Sequence, residues 1–283
     1  MSTAPAGPEK APKETELLVK FETENIPPEY REYYATKRQN FFASIQTFPE
    51  MWRYYILLDK IWMREFGDLG TARDPEKMFP LMLYFNAHAK MRIAMELAFS
   101  GCMAEARSIL RDAIEFVAHA HAMLKDAELQ KIWLSKNDDK AALEEFKDAF
   151  ERHKQAGIFK GLDELHRVWG QLSETGSHAT LNAMCDRFVY VTSDEHIEFR
   201  LNYAGLELRT WALSLFSMLL TSFTMEQTLF NDYDDRLKLD DELRRMRNEF
   251  EISKERVREK MKSQYNVQPP SVIQVPRPLI FRP

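Results

Sequence analysis

Three charged or titratable side chains follow one another at four-residue spacing near the middle of the chain. Arg111, Glu115 and His119 lie in the segment AEARSILRDAIEFVAHAHAMLKD, residues 104–126. Side chains four residues apart share one face of a helix, so neighbours in this set can contact each other. An arginine, a carboxylate and an imidazole on one face could bind an anion or transfer protons. A solvated, salt-bridged helix face is the alternative interpretation.

A second group of polar side chains surrounds Gly176 in the segment LSETGSHAT, residues 172–180. Its short side chains, Ser173 and Ser177, are typical of residues that satisfy the ends of helices. A Ser/His nucleophile pair with His178 is the alternative, but it would also need an orienting group and an oxyanion site. The sequence shows neither. No catalytic residue is therefore assigned, and three residues remain candidates: Arg111, Glu115 and His178.

The sequence predicts no metal and no cofactor. His119 and His121 are two residues apart and therefore point to opposite sides of a helix. Asp163 and His166 form a single pair, whereas a dimetal site in a helical bundle needs several carboxylates. The chain also lacks the glycine-rich loops that hold phosphates.

Composition limits the classes of partner and compartment. The formal net charge is -5, with acids and bases interspersed, so a nucleic-acid partner is not required. Cys102 and Cys185 are the only cysteines, which predicts buried thiols in a reducing compartment rather than disulfides or a zinc site. The most apolar run, 210–225, is shorter than the ~20 residues of a membrane span. We therefore predict a cytoplasmic protein without a membrane segment.

The elements that position the candidate residues are predicted to be helices. The chain has only 9 Gly, and its apolar residues recur at three- and four-residue spacing. The 104–126 helix buries a stripe that includes Leu110, Ile114 and His121, and Gly101 is predicted to end the preceding helix in the left-handed conformation. One small hairpin is predicted at 188–201, where β-branched and aromatic residues alternate.

The last fifty residues differ from the rest. Residues 234–263 are highly charged, with 19 charged residues among 30, and their apolar residues have a heptad-like spacing typical of a coiled coil. This seam consists of Leu239, Leu243, Met246, Phe250 and Val257. The final residues contain five prolines among aliphatic residues, which predicts an extended tail. We predict that the helix and tail mediate self-association or bind a protein partner, with the chain's own bundle as the alternative cover for the seam.

Together these patterns predict an all-α protein, a multi-helix bundle with a charged C-terminal helix and an extended Pro-rich tail. About seven helices are expected within the bundle. The predicted organisation is a disordered lead-in at 1–26, the bundle at 27–232, the charged heptad-like helix at 233–264 and the tail at 265–283.

Two short motifs carry a resemblance to known proteins. Glu105, Ala106, Leu110, Arg111 and Glu115 match an [ED]-A-x-x-x-L-R-x-x-x-E helix, and Trp169, Leu172, Ser173 and His178 match a later aromatic-x-x-[LS]-S turn that ends in histidine. Over roughly residues 80–230 the chain resembles an uncharacterised bacterial all-helical family with these two motifs. The resemblance implies a bundle in which the two motifs meet, and it implies no activity.

The chain is more distantly similar to helical bundles of the HEPN superfamily, some of which cleave RNA through an arginine followed by histidine after four to six residues. Here seven residues separate Arg111 from His119. This departure argues against ribonuclease activity of that type.

Two hypotheses for function follow. The leading one is a non-enzymatic binding or interaction protein, one version being a component of a bacterial defence or regulatory system. The competing one is a hydrolase or nucleic-acid-processing enzyme that uses Arg111, Glu115 and His178. An enzyme needs these side chains to converge at an open cleft, whereas an interaction protein does not.

Overall fold

A computed structural model describes residues 25–70, 75–152, 157–177, 188–192, 197–201 and 208–266. Within these residues the protein is an all-α bundle, which confirms the predicted fold class. The α-helices are α1 (Pro28–Thr47), α2 (Pro49–Leu69), α3 (Pro75–Phe99), α4 (Met103–Lys125), α5 (Ala127–Ser135), α6 (Lys140–Phe146), α7 (Asp163–Leu172), α8 (Leu208–Asp232) and α9 (Asp241–Tyr265). Two π-helical segments, π1 (Lys147–Arg152) and π2 (Ser173–Ser177), continue α6 and α7.

Helices α3 and α4 form the predicted hairpin, and their packing against each other is extensive. Gly101 adopts a φ of 81° between them, so the predicted left-handed residue is confirmed. The apolar stripe of α4 faces the core, where Leu110 and Ile114 are fully buried. Ala118 is buried as well, and its small side chain lets neighbouring elements approach this part of α4 closely.

Helix α8 occupies the centre of the bundle and is buried on nearly all sides, as its apolar sequence predicts. It also buries hydroxyl side chains, including Thr221 and Ser222. These hydroxyls donate to the carbonyl oxygens of Ser217 and Met218, four residues earlier, so the polar atoms are satisfied within the helix.

The described residues contain eight α-helices between 28 and 232, one more than the expected number. Two short helices, α5 and α6, have their own N-caps and are therefore separate. The Asp126 carboxylate accepts a hydrogen bond from the Glu128 amide at 2.9 Å, and Asp139 accepts one from the Ala142 amide at 2.8 Å.

The structure also contains a two-stranded antiparallel hairpin where the sequence predicts one. Its strands are β1 (Phe188–Thr192) and β2 (Ile197–Leu201), and Tyr190 lies opposite Phe199 in the register. The hairpin is a minor addition to the helical architecture.

The C-terminal helix differs from the prediction in its start and its partner. It begins at Asp241, because the Asp240 carboxylate caps it by accepting from the Leu243 amide. Leu239 therefore lies outside the helix and is 41% exposed. The remaining seam is covered by the protein's own bundle, mainly by α2, so its predicted covering by a partner is corrected.

The seam faces the bundle interior, where aromatic side chains of α2 and α8 pack against it. The Phe250 ring stacks on Tyr54 of α2 at 4.2 Å between centroids and lies 4.5 Å from the Phe223 ring of α8. Leu243 and Val257 are also buried. Helix α9 ends at Tyr265 and is capped by Asn266, and the predicted tail from residue 267 onward lies outside the described residues.

Candidate functional site

The two sequence motifs meet at the contact between α4 and the α7–π2 segment. The Arg111 Nε atom donates to Ser173 Oγ at 2.8 Å, and an Arg111 Nη2 nitrogen lies 3.5 Å from Glu115 Oε2. The Trp169 indole N–H donates to the same Glu115 oxygen at 3.3 Å. Arg111 also stacks over the Trp169 ring, 4.7 Å from its centroid. The predicted pairing of Arg111 with Glu115, and their approach to Ser173, are confirmed.

Two further charged groups complete this site, which we call the Arg111 cluster. Arg111 Nη1 donates to Asp112 Oδ1 at 3.1 Å, and Lys90 of α3 contacts the other oxygen of Asp112 at 3.3 Å. Two cations therefore face two carboxylates, counting Glu115. Because the charges balance, the cluster has little excess potential with which to attract a charged ligand.

The hydroxyl of Ser173 is committed to structural contacts. It donates to the Trp169 carbonyl at 2.8 Å and accepts from Arg111, and the residue is only 5% exposed. A serine nucleophile needs an adjacent base to take its proton. Here the neighbour is a guanidinium, which is a donor and cannot act as a base. These contacts therefore link α4 to α7, and within the described part of the chain they place no base beside Ser173.

Neither His178 nor His119 belongs to the described contacts of the Arg111 cluster. His178 lies outside the described residues, so two of the three candidate residues, Arg111 and Glu115, are located and the third is not. His119 accepts a hydrogen bond from the Trp133 indole at 3.3 Å and packs near the Phe150 ring. It does not join the cluster with Arg111 and Glu115 through any contact that the described residues display.

His121 faces a buried carboxylate at the opposite end of α4. Its Nδ1 atom lies 2.9 Å from Asp232, whose side chain is 1% exposed. The Tyr84 hydroxyl donates to the same carboxylate at 2.6 Å. Burial raises the pKa of Tyr84 well above its ordinary value, and the charge of Asp232 adds to that rise. His121 is therefore hydrogen-bonded as expected, but its side chain is 16% exposed and lies at the edge of the core.

A buried charged cluster that the sequence did not reveal connects α2, α8 and α9. The Arg247 Nη1 atom donates to Glu65 Oε1 at 2.8 Å and also to Glu226 Oε1. The side chains of both glutamates are completely buried. We call these three residues the Glu65 cluster.

Two buried carboxyls next to one guanidinium cannot both ionise without leaving a net charge in the interior. Burial raises the pKa of Glu65 to about 11, and the charge of Glu226 adds to the rise. Burial raises the pKa of Glu226 too, although Arg247 opposes it. The pair therefore holds one proton at neutral pH, which we assign to Glu65.

Another set of charged side chains, centred on Asp59, links α2 to α3. The Arg92 guanidinium binds Asp59 through two parallel hydrogen bonds of 2.6 and 2.7 Å, and His88 Nε2 lies 2.8 Å from the same carboxylate. Burial disfavours the charge on Asp59, but the hydrogen bonds from His88 and Arg92 outweigh it and lower the pKa of Asp59 to about 2. The ring of His88 stacks on Trp62, so this histidine has a packing role as well.

An open groove of about 950 Å³ runs along the outer face of α1. Four aromatic side chains line it at helical spacing: Tyr30, Tyr34, Phe41 and Phe42. Three of them are about half exposed, with values of 55% for Tyr30, 50% for Tyr34 and 53% for Phe42. We call this feature the α1 groove.

A few polar groups border the α1 groove. Lys37 and Arg38 lie on α1, and Glu96 lies on the neighbouring helix α3. Lys37 contacts Glu96 at 3.5 Å, and the Glu96 side chain is still 60% exposed. An apolar, aromatic lining with a few polar groups is the usual composition of a ligand site. The spacing of Tyr30, Tyr34 and Phe41 is typical of a helix but gave no sign that three of the groove's aromatic side chains are about half exposed.

Comparisons with known proteins return no matching family, no matching protein and no matching solved structure.

Among the residues that the structure describes, no group of three or more histidine, cysteine or acidic side chains is arranged to hold a metal ion. None of the described helices has the length and apolar character that crossing a membrane requires.

Proposed function

We propose that this protein is a non-enzymatic binding protein that takes an extended, proline-containing peptide segment into the α1 groove. The observation that carries the proposal is the row of half-exposed aromatic rings along α1. Large aromatic side chains are costly to leave in water, and contiguous exposed ones mark sites of interaction.

The lining of the groove favours this class of ligand. Proline-rich segments adopt an extended helix without internal hydrogen bonds, and aromatic grooves recognise them by packing rings against the proline faces. Such a segment has few N–H donors and many free carbonyls. The hydroxyls of Tyr30 and Tyr34 can donate to those carbonyls while their rings provide the apolar contact.

The competing hypothesis, an enzyme that uses Arg111, Glu115 and His178, receives less support. Arg111 and Glu115 are occupied by contacts within the Arg111 cluster, and no base lies beside Ser173 among the residues that the structure describes. A cytoplasmic location and a role in bacterial defence or regulation belong to the same proposal and rest on the composition and on the resemblance.

The experiment is a selection of random displayed peptides on the purified protein, followed by binding measurements with the selected peptides. We expect the selected peptides to contain proline next to apolar residues. The double substitution Tyr34→Ser and Phe42→Ser should weaken their binding by about tenfold or more, because it removes two of the four aromatic rings that line the groove.

Leu134→Ser is the matched control, because Leu134 is 56% exposed on α5 and lies outside the groove. This variant should bind the peptides as the unaltered protein does. Peptides that bind the groove variant equally well would refute the proposed site.

A further inference from the structure

We propose that the α1 groove is occupied, in the absence of a partner, by the C-terminal segment of the same chain, residues 267–283. This inference rests on the proposed function, because it takes the groove to be a binding site for proline-containing segments. It adds that the protein carries its own competing ligand.

The position where α9 ends supports this assignment. The last turns of α9 lie against the junction of α1 and α2, where Val257 and Met261 line a small cavity with Thr47 and Met51. Asn266 then closes the helix in the left-handed conformation, with φ 48°, and its N–H donates to the Met261 carbonyl. The described part of the chain therefore ends at Asn266, ~7.5 Å along the helix axis beyond Met261, which lines that cavity with the last residue of α1.

The groove begins a short distance from that point. Phe42, its nearest aromatic residue, is five residues before Thr47 on α1, which corresponds to ~7.5 Å along a helix. The groove then continues along α1 to Asn25, so its full length from Phe48 is ~35 Å at 1.5 Å per residue.

The segment is long enough to reach all of it. Residues 267–283 are seventeen residues, which span ~50 Å in the extended proline-rich conformation at 3.1 Å per residue.

The chemistry of the segment matches the lining. It has five prolines, and between them it carries the apolar residues Val272, Ile273, Val275, Leu279, Ile280 and Phe281. Burying such side chains against the aromatic rings removes apolar surface from water on both sides. Arg277 and Arg282 can also meet the exposed carboxylate of Glu96 at the border of the groove.

Covalent attachment strengthens the contact. A segment joined to its site by a short connection has an effective concentration of the order of millimolar. A weak groove–tail contact is therefore sufficient for occupancy, and a partner peptide must displace the tail. The predicted result is a binding site that responds only to ligands of higher affinity or concentration.

The experiment uses the full chain and a fluorescent peptide with the sequence of residues 267–283. The tail variant carries Ile280→Asp and Phe281→Asp, two substitutions beyond the described fold. We expect the peptide to bind the tail variant, measured by fluorescence polarisation, at least about tenfold more tightly than it binds the unaltered protein. Equal helical circular dichroism checks that both are folded.

Two further variants test where the peptide binds. Adding Tyr34→Ser and Phe42→Ser to the tail variant should abolish the gain, whereas adding Leu134→Ser should leave it unchanged. Peptide binding that survives the groove substitutions would overturn the inference, and so would equal affinity for the unaltered protein and the tail variant.

Other occupants give different results. If deletion of residues 1–24, and not alteration of the tail, opens the groove to the peptide, the N-terminal segment is the occupant. If light scattering gives twice the chain mass and the tail variant halves it, the tail comes from a second copy. Either result refutes the inference. The proposed function stays intact in both cases if library-selected peptides still bind in a groove-dependent way.

Discussion

Glu65 and Glu226 come from helices far apart in the sequence, yet their carboxyl groups contact the same guanidinium nitrogen, Nη1 of Arg247. Both glutamate side chains are fully buried, and Arg247 also donates to Gln227 at 3.0 Å and stacks on Phe230. The C-terminal helix is thus fixed to the bundle by a charged contact in the interior as well as by its apolar seam.

The assigned proton on Glu65 predicts an asymmetry between two substitutions. Glu65→Gln replaces a neutral acid by a neutral amide of the same shape that needs no proton uptake on folding, so the free energy of unfolding at neutral pH should not fall and should rise. Arg247→Met leaves the Glu226 charge without its partner and should cost about 3 to 5 kcal/mol. Urea unfolding at neutral pH measures both. Equal losses in the two variants would show that Glu65 is ionised.

The Glu65 cluster also predicts a pH dependence. The folded protein keeps the Glu65 proton up to a pKa of about 11, whereas the unfolded chain releases it near its ordinary value of ~4.3. Between these values the folded state binds one more proton, so the stability that it contributes is complete below the lower value and falls as the pH rises. The slope is at most ~1.4 kcal/mol per pH unit.

The comparison that isolates this effect is the unaltered protein against Glu65→Gln, followed by urea unfolding from about pH 6 to about pH 9. The amide has no proton to lose there, so the unaltered protein should lose stability relative to the variant as the pH increases. Parallel curves for the two proteins would contradict the shared proton.

The C-terminal seam gives a prediction with a control on the same helix. Phe250 is fully buried between Tyr54 and Phe223, and Phe250→Ala should destabilise the protein by about 3 to 5 kcal/mol. Ile252, two residues later, is 46% exposed, so Ile252→Ala should cost less than ~0.5 kcal/mol. Thermal unfolding distinguishes the two. A mild effect of Phe250→Ala would mean that the seam is not covered by the bundle in solution.

The sequence predicted those parts of the fold that depend on local patterns. The α4 stripe, the Gly101 turn and the inward position of His121 all follow from periodicity and backbone preference, and the structure contains them. The meeting of Arg111 with Ser173 was predicted through the two motifs. These features need only the residues of one hairpin or one motif pair.

The remaining features depend on which helices become neighbours. Glu65 and Glu226 are single acids in otherwise unremarkable helical sequences, and a sequence pattern cannot tell which of many acids will be buried against Arg247. The α1 groove has the same origin, because the spacing of Tyr30 and Tyr34 is the same whether or not another helix covers them. The direction in which the α9 seam faces was also decided by tertiary packing.

The last prediction concerns the Arg111 cluster, in which one guanidinium contacts several neighbours at once. Arg111 donates to Ser173, contacts Glu115 and stacks on Trp169. Lysine keeps the charge but has neither the planar group nor the forked donors that these contacts use together. Arg111→Lys should therefore destabilise the protein by about 1 to 2 kcal/mol, because at least one charge-assisted hydrogen bond is lost.

Arg53→Lys is the matched control, since Arg53 is 71% exposed and pairs with Glu50 on the surface of α2. Its cost should be below ~0.5 kcal/mol, as expected for a solvated ion pair. Both variants are compared by urea unfolding at neutral pH. If Arg111→Lys is as mild as Arg53→Lys, the charge of Arg111 matters and its geometry does not. A lysine would then hold α4 against α7 equally well, and the cluster would not be a geometric link between the two motifs.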